Sequence, residues 1–89
     1  MVKLTIIIPA YNEEKTILEL LKKVYKVEIE GVEKEVIVID DCSCDQTLSI
    51  LENNQKLFNK LIKFSQNKGK GAAVKKGLVN ATGDYILFQ

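Results

Sequence analysis

Two adjacent carboxylates, Asp40 and Asp41, end the apolar run of the segment VIVIDDCSCDQT at residues 36–47. Carboxylates at the end of a buried strand can accept hydrogen bonds from ribose hydroxyls or from the N–H of a base. The same loop can also be a solvated turn in which Asp45 caps the next helix. The other loops of the chain decide between a binding loop and a plain turn.

Two further loops carry polar residues of the types that contact a nucleotide. In PAYNEE, residues 9–14, Tyr11 offers a ring face and a hydroxyl, and Glu13 is another acceptor. In QNKGKG, residues 66–71, two lysines add positive charge beside a phosphate, and two glycines let the backbone approach a ligand closely. Together the three loops predict a polar site that contacts a base and a ribose.

Apolar runs and residues at helical spacing alternate along the chain and predict the elements that position these loops. The predicted strands are Lys3–Ile8, Glu35–Asp40, Leu61–Phe64 and Tyr85–Phe88. The predicted helices are one that begins near Glu13 or Glu14 with Asn12 as its cap, one capped by Asp45, and one over residues 71–80. This alternation predicts an α/β fold, a Rossmann-like three-layer arrangement around a mostly parallel sheet of four strands.

In a parallel sheet every strand-to-helix loop lies at the carboxyl edge, which is where such folds bind ligands. The three polar loops all follow predicted strands, whereas the connector EIEGVEKE, residues 28–35, is plain and charged. We therefore expect the polar residues to collect at one edge of the sheet. We also expect Asp41 to be an exposed loop acid whose removal costs little stability.

Composition and missing motifs exclude several classes of function. The net charge of +1 is too small for a general electrostatic attraction to nucleic acid or to anionic lipid. The chain has no histidine, which excludes Ser-His-Asp and Cys-His catalysis within it. No G-x-G-x-x-G follows the first strand, and NKGKGAA does not match a P-loop, so a dinucleotide Rossmann site and a P-loop site are both excluded.

The length of 89 residues predicts one domain over residues 1–89. No apolar run approaches the roughly 20 residues that span a bilayer. The N-terminus also lacks the features of a signal peptide, so we expect a cytoplasmic protein. Cys42 and Cys44 are separated by one residue, which is a poor spacing for a disulfide, and we expect free thiols.

The order of three segments, IIIPAYNEEKTI, EVIVIDDCSCDQTLSIL and NKGKGAAVKKGLVNATGDYILF, resembles the N-terminal half of the family-two inverting nucleotide-sugar glycosyltransferases. The resemblance covers almost the whole chain and is strongest to the branch with dolichyl-phosphate mannose and glucose synthases. It implies a truncated GT-A nucleotide-binding half with strand order 3-2-1-4. It also implies a UDP- or GDP-sugar as ligand, and a polyprenyl phosphate or glycan as the acceptor of the complete enzyme, which would act at the membrane periphery.

The resemblance also assigns residues to the site. The implied nucleotide-binding residues are Pro9, Ala10, Tyr11, Glu13, Asp41, Gly69, Lys70 and Gly71. Asp40 is implied to support the loop, and Thr82, Gly83 and Asp84 match a turn that leads into the fourth strand. Cys42 stands where the family has glycine, which puts a left-handed backbone there in doubt.

The family's D-x-D motif, which binds Mg²⁺ or Mn²⁺, follows a strand like DYILFQ, beyond Gln89. We therefore expect the complete enzyme to use Mg²⁺ or Mn²⁺. We expect these 89 residues alone to bind no metal, to hold no catalytic residue and to be inactive.

Two alternative functions and one assembly remain open from the sequence. The chain can be a non-catalytic fragment that binds nucleotides. It can also be a receiver-like signalling domain, although in receivers the acid pair follows the first strand. Finally, the fourth strand, Tyr85–Phe88, is apolar and lacks proline and charge, which favours a homodimer, or aggregation, through its edge.

Overall fold

Four parallel strands form one sheet in the order β3-β2-β1-β4 in the computed structural model, which describes residues 1–89. The strands are β1 (Val2–Ala10), β2 (Val32–Asp40), β3 (Lys60–Lys63) and β4 (Tyr85–Phe88). The helices are α1 (Ile17–Lys26), α2 (Thr47–Glu52), a 3-10 turn (Gln55–Leu57) and α3 (Lys70–Asn80). The predicted α/β class and the strand order 3-2-1-4 are confirmed.

The two central strands pair over nine residues, from Val2 opposite Val32 to Ala10 opposite Asp40. Both begin earlier than predicted, because ladder hydrogen bonds continue into amino-terminal ends whose side chains are charged or exposed. The β-branched cores of these strands are buried on both faces of the sheet. This double burial explains why their sequences are continuous apolar runs rather than alternating ones.

Helices cover the two faces of the sheet. On one face, side chains of α1 and α2 pack against Ile6, Ile8 and Val38. On the other face, Ala73 of α3 packs against Ile7, Ile37 and Ile39. The three predicted layers are therefore present around β1 and β2. None of the helices has the length and apolar character needed to cross a bilayer.

A glycine allows the close approach of α3 to the sheet. A Cβ atom at Gly77 would lie 2.5 Å from Cγ2 of Ile7 and 3.2 Å from Cδ1 of Ile39. Ile7 and Ile39 are fully buried, so neither side chain has free space to move into. Gly77 therefore sets the distance between the helix and the sheet.

The first helix was predicted wrongly at its start. Helix α1 begins at Ile17 with Thr16 at its cap position, so Asn12 does not cap it and instead has a left-handed backbone with φ of 50°. The backbone N–H groups of Thr16 and Ile17 donate to the carbonyl of Glu13, which makes a turn ahead of the helix. Asp45 lies one residue before the cap position of α2, yet its carboxylate accepts the N–H of Thr47.

Strand β4 is covered by a neighbour only on its β1 side. All four of its side chains are exposed, by 40 to 65%. The predicted turn before it is present and is tied to the central strands. The N–H of Gly83 donates to the hydroxyl of Thr5, and the N–H of Lys3 donates to the carboxylate of Asp84.

Candidate functional site

A cavity of about 340 Å³ opens at the carboxyl edge of the sheet, which is within the size range of small-molecule sites. It is lined by Pro9, Ala10, Tyr11, Glu13, Asp41, Asn67, Gly69, Lys70, Ala73 and Gln89. Seven of the eight residues proposed from the sequence therefore meet at one cavity. The eighth, Gly71, lies in the first turn of α3 and does not line it.

The end of β1 and the loop after it form one wall of the cavity. Ala10 is buried at the strand end, and Tyr11, which also lines the cavity, is 45% exposed. The backbone N–H of Glu13 donates to the hydroxyl of Thr47 at 2.8 Å, which joins this wall to the start of α2. The wall thus presents an aromatic face and a carboxylate to the same space.

The carboxyl group of Glu13 lies in a mixed electrostatic environment. Burial raises its pKa, the ammonium of Lys70 lowers the pKa, and the negative charge of Asp45 raises it again. The net direction is upward, since desolvation of the charged form is the largest effect. Burial therefore destabilises the ionised form of Glu13, and hydrogen bonds donated by the hydroxyl groups of a ligand would stabilise it.

Asp41 is the point at which the loops of the site are tied together. Its Oδ1 accepts the N–H of Lys68 at 2.8 Å, and its Oδ2 accepts the N–H of Gly69 at 2.9 Å. The side-chain amide of Asn67 donates to the Asp41 carbonyl at 3.3 Å, and the Asp41 N–H donates to the carbonyl of Ala10 at 2.9 Å. These bonds connect the ends of β1 and β2 with the glycine-rich loop.

The expectation that Asp41 is an exposed acid without partners is therefore wrong. Its exposure is only 4%, and both carboxylate oxygens hold backbone N–H groups. The partners belong to a loop 27 and 28 residues further along the chain, so the local sequence did not reveal them. A buried carboxylate with such partners contributes to the fold as well as to the cavity.

The neighbouring acid, Asp40, has the loop-supporting geometry that the resemblance implied. Its Oδ1 accepts the hydroxyl of Ser43 at 2.6 Å, and its Oδ2 accepts the Ser43 N–H at 3.2 Å. Between them Cys42 has a φ of 59°, so the loop keeps a left-handed residue although a side chain replaces the usual glycine. The left-handed backbone that the replacement put in doubt is therefore present at Cys42.

The glycine-rich loop leads into α3 with a conformation that requires glycine. Gly69 has a φ of 93°, and the 11-residue helix α3 begins at the next residue, Lys70. The N-terminus of this helix and the Lys70 ammonium favour an anion at that end of the cavity. The other lysine, Lys68, is directed elsewhere, since its ammonium lies 5.1 Å from the centre of the Phe64 ring.

Three lining residues were missed by the sequence analysis. Asn67 precedes the glycine-rich segment at the same edge, and its position alone could have suggested it. Ala73 lies one helical turn into α3, and Gln89 follows β4, where its N–H donates to the carbonyl of Ile7. Neither of these two residue types indicates a ligand contact, so only the fold brings them to the cavity.

The thiols and the acids of these loops do not form a metal-binding cluster. Cys42 and Cys44 are free thiols, as predicted. No group of three or more His, Cys, Asp or Glu side chains could hold a metal ion. The carboxylates of Asp40 and Asp41 already accept protein N–H and O–H groups, so these residues do not form a metal site by themselves.

Comparison with protein families and with individual relatives agrees with the resemblance. The Glycosyl transferase family 2 model matches residues 5–89. The poly(ribitol-phosphate) beta-N-acetylglucosaminyltransferase TarS of Staphylococcus aureus is 41% identical over 92 residues, which cover 99% of this chain and 16% of that protein. The dolichyl-phosphate beta-glucosyltransferase of Saccharomyces cerevisiae is 39% identical over 94 residues, which cover 96% of this chain and 28% of that protein.

Solved structures show the same fold. The crystal structure of S. aureus TarS 1-349 in complex with UDP matches with a TM-score of 0.86 and 39% identity, over 98% of this chain and 26% of that chain. A second TarS structure is a complex with UDP-GlcNAc. The mannosyltransferase PcManGT from Pyrobaculum calidifontis, in complex with GDP-Man and Mn²⁺, matches with a TM-score of 0.77 and 31% identity, over 93% of this chain and 25% of that chain.

The chain spans less than a third of the length of each of these relatives. The receiver-like alternative is excluded, because the acid pair follows β2 and because a family match extends over almost the whole chain. The order of the polar loops, the GT-A topology of the sheet and the match over residues 5–89 have one explanation: the chain belongs to glycosyl transferase family 2.

Proposed function

We propose that these residues form the nucleotide-binding part of a glycosyltransferase that transfers a hexose from a UDP- or GDP-sugar to an acceptor. The observation that carries the proposal is the buried carboxylate of Asp41, which lines the same cavity as Tyr11 and Lys70. The relatives in complex with UDP, UDP-GlcNAc and GDP-Man support a nucleoside diphosphate sugar as the ligand class.

The bonding of Asp41 favours particular bases. Each of its oxygens accepts one backbone N–H and keeps further lone-pair capacity, and an ionised carboxylate only accepts hydrogen bonds. Uracil and guanine present an N–H at the centre of their pairing edge, whereas cytosine and adenine present an acceptor nitrogen there. We therefore expect uridine and guanosine nucleotides to bind in preference to cytidine and adenosine nucleotides, with Tyr11 as a stacking surface.

The remaining polar groups suit the ribose and the diphosphate. Glu13 is the acceptor available for ribose hydroxyls, and Lys70 with the N-terminus of α3 supplies positive potential for phosphate. The proposed contacts are Pro9, Ala10, Tyr11, Glu13, Asp41, Gly69 and Lys70, with Asn67 and Gln89 added from the cavity lining. Gly71 is not a proposed contact, since it lies in the first turn of α3 and does not line the cavity.

The chemistry of transfer belongs to the whole protein. A relative with 31% identity contains Mn²⁺ in its complex, and we propose Mg²⁺ or Mn²⁺ for the whole enzyme, held by ligands other than Asp40 and Asp41. The names of two relatives specify dolichyl-phosphate and poly(ribitol-phosphate). We propose a polyprenyl phosphate or a glycan as the acceptor on that basis.

A nuclear magnetic resonance titration of the 89-residue chain tests the nucleotide proposal. UDP and GDP should shift the amide signals of Tyr11, Glu13, Asp41 and Gly69, with a dissociation constant of roughly 0.1 mM or weaker. CDP and ADP at the same concentrations serve as matched controls and should bind more weakly. Shifts confined to the opposite edge, around residues 28–35, would contradict the proposal.

We also propose that two copies pair through the outer edge of β4. The support is the exposure of Tyr85, Ile86, Leu87 and Phe88 together with the absence of a neighbouring strand on that side. An unpaired apolar edge is a template for another strand. Two such edges related by a two-fold axis would form a continuous sheet, antiparallel at the junction.

A further inference from the structure

Two residues other than glycine have left-handed backbones, and each directly follows a residue that lines the cavity. They are Asn12, with φ of 50°, and Cys42, with φ of 59°. Asn12 directly follows Tyr11, and Cys42 directly follows Asp41. Left-handed conformations are unfavourable for residues with a Cβ, most clearly for Cys42, and they persist where surrounding contacts hold them.

Reciprocal hydrogen bonds between the two loops supply that restraint. The N–H of Asn12 donates to the hydroxyl oxygen of Ser43 at 3.0 Å. In return, the side-chain carbonyl of Asn12 accepts the N–H of Cys44 at 2.7 Å. The Ser43 hydroxyl donates its own proton to Oδ1 of Asp40 at 2.6 Å. The hydroxyl therefore has one orientation, fixed on one side by Asp40 and on the other by Asn12.

Neither Asn12 nor Ser43 lines the cavity. Asn12 is exposed, so its side chain adds little to the apolar core. Three further bonds run between the same loops: Glu13 N–H to Thr47, Glu14 N–H to Asp45, and Gln46 N–H to the Glu14 carboxylate. The two loops thus form one hydrogen-bonded unit, next to which Tyr11 and Asp41 line the cavity.

We infer that Asn12 and Ser43 are positioning residues: their reciprocal bonds lock the loop after β1 to the loop after β2. The lock holds Tyr11 and Asp41 toward the same cavity before any ligand arrives. The role of those two residues in binding rests on the proposed function, whereas the lock itself is a property of the free protein. Prior ordering of this kind lowers the entropy that binding would otherwise cost.

Two substitutions each remove the lock, one in the loop after β1 and one in the loop after β2. Asn12→Gly keeps a residue that tolerates a left-handed backbone but deletes the side-chain carbonyl. Ser43→Ala deletes the hydroxyl, and Ser43→Thr restores one. The matched controls are Ser49→Ala and Asn53→Gly, a serine and an asparagine that are exposed, that bond to each other at 3.4 Å, and that do not line the cavity.

The first readout is the free 89-residue chain, by amide hydrogen exchange and backbone relaxation. In Asn12→Gly the Cys44 amide should exchange faster, and in Ser43→Ala the Asn12 amide should. In both variants Tyr11 and Asp41 should become more mobile. The second readout is a UDP titration, in which each variant should bind about two- to tenfold more weakly, the scale of one net hydrogen bond. Ser43→Thr should recover part of the affinity, and the control pair should match the unmodified chain.

The double variant adds a stricter criterion. Because both side chains belong to one bridge, Asn12→Gly with Ser43→Ala should weaken UDP binding by less than the product of the two single effects. Wild-type mobility of Tyr11 and Asp41 in both single variants would overturn the inference, as would unchanged UDP affinity in a chain that binds UDP. If the unmodified chain binds neither UDP nor GDP, the proposed function fails, and the exchange and relaxation data alone decide on the lock. Should Ser43→Ala fail to fold, Asn12→Gly decides with the same criteria.

Discussion

The carboxylate of Glu35 accepts two hydrogen bonds from Thr82, one from its backbone N–H and one from its hydroxyl, each 3.0 Å long. It also accepts the hydroxyl of Thr5 at 2.7 Å, and the ammonium of Lys3 lies 3.8 Å away. Burial raises the pKa of Glu35. The hydrogen bonds from Thr82 and Thr5 and the charge of Lys3 together lower the pKa by more than burial raises it, so the net direction is downward. Glu35 thereby attaches the turn before β4 to the two central strands.

This attachment predicts a loss of stability in acid. Because the pKa of Glu35 is lower in the folded state than its ordinary value of 4.5, the unfolded state binds more protons. The stability that Glu35 contributes is therefore fully present above that value and is lost as the pH falls through the lowered pKa. Glu35→Gln should unfold at a lower temperature than the unmodified chain at pH 7, and the difference should shrink toward pH 3. The exposed neighbour Glu33 provides the control, Glu33→Gln, and an equal pH slope in all three proteins would contradict the prediction.

The raised pKa of Glu13 predicts the opposite dependence of stability on pH. Its pKa is raised in the folded state, mainly by burial, so ionisation of Glu13 opposes folding as the pH rises. Glu13→Gln should therefore raise the melting temperature at pH 7 and leave it nearly unchanged at pH 4. The same variant should bind UDP more weakly, since an amide is a poorer acceptor for ribose hydroxyls. Glu28→Gln, far from the cavity, is the control for the loss of one charge, and a lower melting temperature for Glu13→Gln at pH 7 would count against this account.

Asp41 should prove necessary for stability as well as for binding. Asp41→Ala leaves the N–H groups of Lys68 and Gly69 without their acceptor, at a cost of about 1–3 kcal/mol in the free energy of unfolding. Asp41→Asn keeps the shape and one acceptor oxygen, so it should lose less stability while still losing most of the UDP affinity. Urea denaturation measures the first effect and calorimetry the second. An unchanged urea midpoint for Asp41→Ala would show that the glycine-rich loop does not need this acceptor.

The two glycines of α3 should respond to alanine in opposite directions. Gly77→Ala places a Cβ against Ile7 and should lower the free energy of unfolding by about 1–3 kcal/mol, the usual cost of overpacking. Gly71→Ala meets no atom within 4 Å and should raise the free energy of unfolding by up to about 1 kcal/mol, because alanine favours helix. Chemical denaturation of the two variants under identical conditions makes the comparison. Equal effects would mean that α3 shifts freely over the sheet.

The β4 edge can be tested by its concentration dependence. Sedimentation of the unmodified chain at several concentrations should show association, and Leu87→Lys should suppress it by placing a charge within the edge strand. Val79→Lys, which adds the same charge to an exposed apolar position of α3, should leave the association unchanged. A monomer at high concentration that neither lysine affects would remove the proposed dimer.

Local patterns in the sequence predict the strands, because buried parallel strands leave continuous apolar runs such as those around Ile7 and Val38, whereas the order of the strands follows from the family resemblance. The cavity residues Tyr11 and Glu13 follow in the same way from their place in the loop after the first strand. Asn12 was misread because asparagine suits both a helix cap and a left-handed loop, and only Ser43 and Cys44, more than 30 residues away, decide between the two. The burial of Asp41 escaped prediction for the same reason, since its partners lie in another loop.

The turn before β4 has a further consequence for how the chain acquires its structure. The bonds that hold this turn join residues 78 and 81 positions apart, Thr5 with Gly83 and Lys3 with Asp84. The longest ladder joins residues only 30 positions apart, as in Thr5 opposite Glu35. Because contacts between distant residues carry the larger loop-closure entropy, β1, β2 and their helices can assemble while β4 is still unattached. On the ribosome, the carboxylate of Glu35 and the hydroxyl oxygen of Thr5 would therefore remain open acceptors until Thr82 and Gly83 emerge and dock.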